Sequence, residues 1–344
     1  MLQTLLTILL AILIFGIMVF IHELGHFISA KSCKVKVNEF AIGMGPTLFR
    51  FHKKETTYAL RLLPIGGVVQ MEGEEEASDQ EGSFSSKPIW QRVIIVCAGA
   101  IMNLILGFVV LLIVVCVEQN IASTTIASFD QAAVSNKEGG LQIGDQILAI
   151  NGNAVHIGND IVYSLVRDKD GIVDFRVKRD GETLEISDIQ LNMTEQGGQN
   201  TVILDFKVYP LEKNFGTVIR EAFFWSCSVG GLVWGSLVDL ITGNFALNQL
   251  SGPVGVVTVI GQAASIGIQP LLMLVAFITI NLGIFNLLPV PALDGGRLLF
   301  LLIEAVRRKP LNPKYEGYVN MAGFALLMLL MVIVTFQDIT RLFS

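Results

Sequence analysis

Residues 5–26 read LLTILLAILIFGIMVFI-HELGH, an uncharged apolar run that leads straight into His22-Glu23-Leu24-Gly25-His26. An uninterrupted stretch of this kind spans a bilayer as a helix, so the pattern that follows it lies at membrane depth. On a helix, two histidines four positions apart share one face and can both direct a ring nitrogen at one Zn²⁺. Glu23, one position round from His22, can then hold the attacking water as general base. A five-residue pattern with two free positions also arises by chance. Its placement argues otherwise, because ionisable groups at the edge of a bilayer are costly and mark function.

The whole chain agrees with a membrane setting. It has 344 residues, 52% of them apolar and only 16% charged, with a mean hydropathy of +0.61. That is too apolar for an ordinary soluble protein and fits a polytopic membrane protein carrying one soluble domain. A net charge of −6 provides no basic footprint for nucleic acid. Cys33, Cys97, Cys116 and Cys227 are far apart, without metal or redox spacing, and read as buried thiols. The N-terminal run lacks a basic leader and a small-residue cleavage site, so it reads as a retained span rather than a secretory signal.

Three stretches, 5–30, 93–117 and 318–336, are long enough to cross; a fourth, 270–290, is interrupted by Asn281, Asn286 and Pro289. Lys31, Lys34 and Lys36 follow the first span, Lys87 and Arg92 precede the second, and Arg307, Arg308, Lys309 and Lys314 precede the last. The positive-inside rule then places 31–92 and 295–317 in the cytoplasm and 118–269 outside. The uncharged segment 222–238 either lies on the outer leaflet or crosses together with 253–268. Trp225 and Trp234 favour the surface helix.

Residues 120–212 alone have soluble composition. Alternation in Val173-Asp174-Phe175-Arg176-Val177, with Asn151-Gly152 and Asp180-Gly181 as hairpin turns, predicts a small α+β domain. The run Gly140-Leu141-Gln142-Ile143-Gly144-Asp145, followed by Ile150-Asn151-Gly152, resembles bacterial PDZ domains. Such a domain implies capture of a peptide C-terminus by strand addition, the alternative being a spacer or steric plug. His52 and His156 have no partners at ligand spacing and read as surface residues. The acidic run 72–81 reads as a solvated loop. Thr57–61 followed by Pro64-Ile65-Gly66-Gly67-Val68-Val69 predicts a membrane-associated β-hairpin, with Gly66, Gly67 and Val68 offering an edge to an unwound substrate.

Zinc requires a further protein ligand and an open position. The segment 286–296, NLLPVPALDGG, supplies a candidate. Pro289 and Pro291 cannot continue a helix, and Gly295-Gly296 allows a tight turn, so the span breaks and presents Asp294. The alternative is a helix-capping aspartate. By the orientation above, His26 and Asp294 reach the same side of the membrane.

Together these motifs resemble the site-2 protease family of intramembrane zinc metalloproteases, in particular the bacterial regulators of envelope stress signalling. The resemblance runs through His22–His26 with Ala30-Lys31, Gly43-Met44-Gly45-Pro46, Pro64-Ile65-Gly66-Gly67, Asn103, Leu250-Ser251-Gly252-Pro253 and 286–296. Some relatives carry two tandem PDZ domains; this chain has room for one. The family implies that His22, His26 and Asp294 bind one zinc per chain and that Glu23 activates water. It also implies that Asn286 with Pro289 and Pro291 holds the unwound substrate. It further implies a multi-pass protein of the bacterial cell membrane whose site lies near the cytoplasmic face, with the PDZ-like domain outside. Its substrates would be single-span membrane proteins, such as trimmed anti-sigma factors or remnant signal peptides. The expected fold is thus a polytopic α-helical membrane protein of about four transmembrane helices. The catalytic core is formed by 1–118 and 213–344, and 119–212 is the inserted domain. Two other readings are a membrane-anchored metalloprotease that cuts soluble loops and a non-catalytic scaffold. Retention of Glu23 beside all three candidate ligands speaks against the scaffold.

Overall fold

The computed structural model describes residues 2–74, 80–166, 168, 170–196, 199–243, 251–309, 311 and 313–343. Residues 75–79 of the acidic run, and Leu250 of the 250–253 motif, lie outside them. Five helices are long and apolar enough to cross a membrane: α1 (Leu2–Ser32), α2 (Ile89–Val117), α4 (Phe215–Ile241), α6 (Ile268–Leu287) and α8 (Pro313–Phe343). Four of them match the expected spans. The additional one, α4, contains the segment 222–238. The chain separates into two compact units, one formed by Met1–Val110 with Val233–Ser344 and the other by Leu111–Leu232.

In the first unit, α1 packs Ala11, Ile14 and Met18 against Ile260 and Ala263 of the short α5 (Pro253–Ile266) and Leu271 of α6. The opposite side of α1 leaves Leu5, Leu9 and Leu13 bare, and α8 does the same with Leu326, Leu329 and Phe336. In water such apolar exposure would be a liability; facing lipid it is the expected surface. The Ser251-Gly252-Pro253 motif proves to be a helix start. Pro253 opens α5, and the carboxylate of Asp338 on α8 accepts the Gly255 N–H at 2.8 Å.

Between α1 and α2 lie β1 (Val37–Lys53) and β2 (Thr56–Met71). The predicted hairpin is corrected here, because 57–61 and 67–71 do not pair with each other. Glu39–Ile42 is flanked on one side by residues 67–70 and on the other by 57–60, while 47–53 pairs with 56–61. Among the described residues, the strand 67–71 therefore has β1 on one side and no strand on the other.

The second unit holds β3 (Ile121–Phe129), β4 (Gln146–Ile150), β5 (Asn153–Ala154), α3 (Gly158–Val166), β6 (Ile172–Arg179), β7 (Glu182–Gln190), β8 (Met193–Gln196), β9 (Gln199–Val202) and β10 (Phe206–Leu211). The main sheet runs β10-β3-β4-β6-β7, and β8 and β9 form a separate hairpin. As the alternation predicts, Val173, Phe175 and Val177 point inward onto Ile126, Ile147 and Ile150. Asn151-Gly152 and Asp180-Gly181 all have positive φ, closing the β4–β5 and β6–β7 turns.

The N-terminal half of α4 belongs to this unit. Trp225 is buried, its indole N–H donating to the Tyr163 hydroxyl at 2.6 Å. Ser228 donates to Asp160, whose other oxygen accepts the His156 N–H at 2.7 Å and so caps the start of α3. The sequence suggests a lipid interface for Trp225; its ring is instead buried, with its N–H on Tyr163 of α3. Trp234 remains exposed.

Candidate metal centre

α1 carries His22, Glu23 and His26 in its last turns, one turn of helix separating the two rings. The third group arrives from the far end of the unit. α6 ends at Leu287, the backbone turns extended at Leu288, and α7 (Asp294–Arg307) starts on Asp294 itself. The two prolines end the helix as expected, but the glycines act differently from expectation. Neither Gly295 nor Gly296 has positive φ. Their value is the missing Cβ: one added at Gly296 would lie 2.6 Å from the Val290 carbonyl oxygen. The loop therefore folds back tightly onto the first turn of α7 and fixes the direction of Asp294. The last helix braces the other side. Asn320 accepts the N–H of Ala292 at 3.2 Å, and Gly323 sits directly on Pro291. Ala292 is held in the left-handed region at φ 70°, where a residue with a Cβ needs such support.

The result is a convergence of three donor atoms. His22 Nε2 and His26 Nε2 lie 3.2 Å apart, and Asp294 Oδ2 is 3.2 Å from the first and 3.3 Å from the second. Among the described residues this is the one group of three side chains placed to share a metal ion. Ligands at 2.0–2.1 Å around a tetrahedral zinc are about 3.3–3.4 Å from one another, so the spacing fits. The chemistry of the donors fits as well. Asp294 Oδ2 is buried and makes no hydrogen bond of acceptable geometry despite its two ring neighbours. Such an atom is costly unless a cation completes it.

The site opens into a cavity of about 450 Å³ lined by the histidines, Glu23, Asp294, Arg297 and residues 67–71 of β2. Gly67 abuts the base: a Cβ there would lie 3.0 Å from Glu23 Oε1. Two ion pairs stand at the rim, Arg61–Glu39 at 2.7 Å and Arg297–Glu74. A bidentate pair, Arg92 to Glu304 at 3.0 and 2.6 Å, ties α7 to α2.

Of the sequence-predicted residues, Glu23, His22, His26, Asp294, Gly67 and Val68 meet at this cavity. Gly66 does not line it; with φ 71° it turns the chain before the edge strand. Asn286, Pro289 and Pro291 are also absent from its wall. His52 bonds Thr57 at 3.2 Å, and His156 stacks on Phe224 with ring centroids 4.5 Å apart; neither belongs to the group of three donors. The sequence reading missed Glu74, Arg297, Asn320 and Gly323, which act through partners distant in sequence.

Comparison with known proteins agrees with this geometry. The pattern of peptidase family M50 matches residues 10–330. The chain is 34% identical to the regulator of sigma-W protease RasP of Bacillus subtilis, over 98% of this chain and 99% of that one. It is 33% identical to the zinc metalloprotease RasP of Geobacillus kaustophilus over the full length of both. Against the zinc metalloprotease RasP of Bacillus licheniformis it is 34% identical, over 98% and 99%. A zinc-shaped donor set on apolar helices, and these similarities along nearly all of its length, mean that the chain belongs to peptidase family M50, the site-2 proteases, and is a zinc metalloprotease.

Proposed function

We propose that this protein cleaves the transmembrane segments of single-span membrane proteins, with His22, His26 and Asp294 holding zinc and Glu23 as general base. The observation that carries the reading is the free edge of residues 67–71 beside that base. A peptide bond inside a transmembrane helix is shielded by its own hydrogen bonds, so it must be unwound and its freed N–H and C=O groups given new partners. An unpaired strand edge offers them by β-addition. Zinc, when bound, polarises the scissile carbonyl and acidifies water. Glu23 takes the proton of the attacking water and passes it to the leaving nitrogen. Gly67, lacking a side chain, lets the substrate backbone lie against the base.

The charge pattern of the loops supports a site near the cytoplasmic face with residues 119–212 outside, where their PDZ-like sheet serves as a filter. The name of the Bacillus subtilis relative supports anti-sigma factors, already trimmed by another protease, as substrates. Asn286 with Pro289 and Pro291 would help to hold the unwound substrate from outside the cavity lining.

The test is incubation of the purified full-length protein with a single-span substrate. Cleavage within the apolar segment, abolished by a zinc chelator and restored by zinc, is the expected result. Cuts confined to soluble loops would overturn the intramembrane reading.

A further inference from the structure

Ile95, Gly99 and Asn103 follow one another on α2 at four-residue intervals and so share one face. Each meets the histidine pair in its own way. The carbonyl of Ile95 takes Nδ1 of His26 at 2.9 Å. Gly99 makes room: a Cβ there would strike the His26 ring and lie 2.8 Å from Cε1 of His22. Asn103 is completely buried and sets its amide 3.2 Å from Nδ1 of His22.

The orientation of that amide has a chemical consequence. As placed, the amide nitrogen faces the ring, and Oδ1 is buried without a hydrogen-bond partner. Oxygen and nitrogen of a carboxamide exchange places by a half-turn, and either way one amide atom stays unpartnered, so the ring must decide. An N–H donated to Nδ1 would force the ring proton onto Nε2, between His26 and Asp294, where it would block a metal. An oxygen turned toward Nδ1 accepts a proton there and leaves the Nε2 lone pair free. That is the arrangement Ile95 already imposes on His26, and metal-binding histidines generally donate their other N–H in this way.

We propose that Asn103 is a positioning residue whose Oδ1 accepts the Nδ1–H of His22, holding that ring in the tautomer that presents Nε2 to zinc. This rests on the reading of His22 as a ligand. Backbone and amide thus do for the two rings what a pair of carboxylates would do, without placing further charge beside Asp294. A carboxyl group behind each ring would leave the site with four acids, Glu23 and Asp294 included, against one dication at membrane depth, where unpaired charge is costly.

The experiment measures zinc affinity, by competition with a chromophoric chelator, on the metal-stripped full-length protein in detergent. Asn103→Ala should bind zinc about 10–100-fold more weakly. Asn103→Asp can only accept at Nδ1 and should stay within about threefold of wild type or bind more tightly. Zinc binding by Asn103→Ala equal to wild type overturns the proposal, and so does an equal loss in the alanine and aspartate variants, which would mean that residue 103 only packs. If Asn103→Ala does not fold, Asn103→Asp decides alone, and a tenfold loss there overturns the proposal. His22→Ala separates the two levels. Full zinc in that variant refutes the ligand assignment itself, whereas an empty His22→Ala site beside an unaffected Asn103→Ala refutes only the role of Asn103.

Discussion

Two side chains of the site, Glu23 on α1 and Asp294 on α7, should fail in opposite ways. Glu23→Gln removes the base and keeps the ligands, so zinc content should stay at wild-type level while cleavage falls by about 10²–10⁴-fold or more. Turnover within about threefold of wild type would exclude Glu23 as the base. Asp294→Ala removes one of the three converging atoms, and zinc per chain, read by atomic emission, should fall well below one. Full occupancy in that variant would place the third ligand elsewhere. Gly99→Ala tests the space behind the rings: its methyl collides with both, so zinc should be lost although no ligand has changed. These residues differ in how visible they are in sequence. The spacing of His22, Glu23 and His26 is the one zinc chemistry calls for, and a helix-breaking segment isolates Asp294, so all four stand out in the sequence as candidates. Gly99, Asn320 and Gly323 work by where a partner helix happens to lie, and no residue type announces that.

The edge strand makes its own claim. If residues 67–71 hold the substrate, their contribution is main-chain hydrogen bonding, which side-chain changes barely touch. Proline removes a donor, so a scan through Val68, Val69 and Gln70 should split by parity. Substitutions whose lost N–H faces outward should abolish cleavage with normal expression, and those facing β1 should lower expression instead. Alanine at the same positions should be nearly silent. Equal tolerance of proline throughout would assign substrate holding to another element. The sheet itself was only half legible. Thr56–Met71 alternates well enough to read as strand, but Gly43 and Gly45, at φ 86° and 87°, bend β1 and break its two-residue period. The sequence therefore does not announce β1 as the partner strand, and residues 57–69 read alone close into a hairpin of their own. α4 misled for another reason: an uncharged run with tryptophans has the same composition whether its rings meet lipid or, as Trp225 does, a protein partner.

For the molecule as a whole, the insertion is the part whose turns and core the alternation reveals most plainly, because a small soluble sheet must alternate. Deleting 122–210 should leave zinc binding intact, since no candidate ligand or base lies there. Substrates should then be cut before their outer portions are trimmed. A folded, zinc-loaded deletion variant that is wholly inactive on a trimmed substrate would make the insertion part of the active enzyme and end the filter idea. Trp225, Ser228 and Arg220 lose their partners in such a variant, so its melting temperature should fall. The metal centre also dates itself during synthesis. Its two candidate histidine ligands are made about 270 residues before the candidate aspartate. At ribosomal speeds of about 5–20 residues per second, the nascent chain sits in the membrane for tens of seconds with a base and two histidines but no complete metal cage. The helix that braces Asp294 through Asn320 and Gly323 emerges later still. A chain halted before 294 should bind zinc poorly and cut nothing, so the membrane should meet no active protease until synthesis has passed that residue.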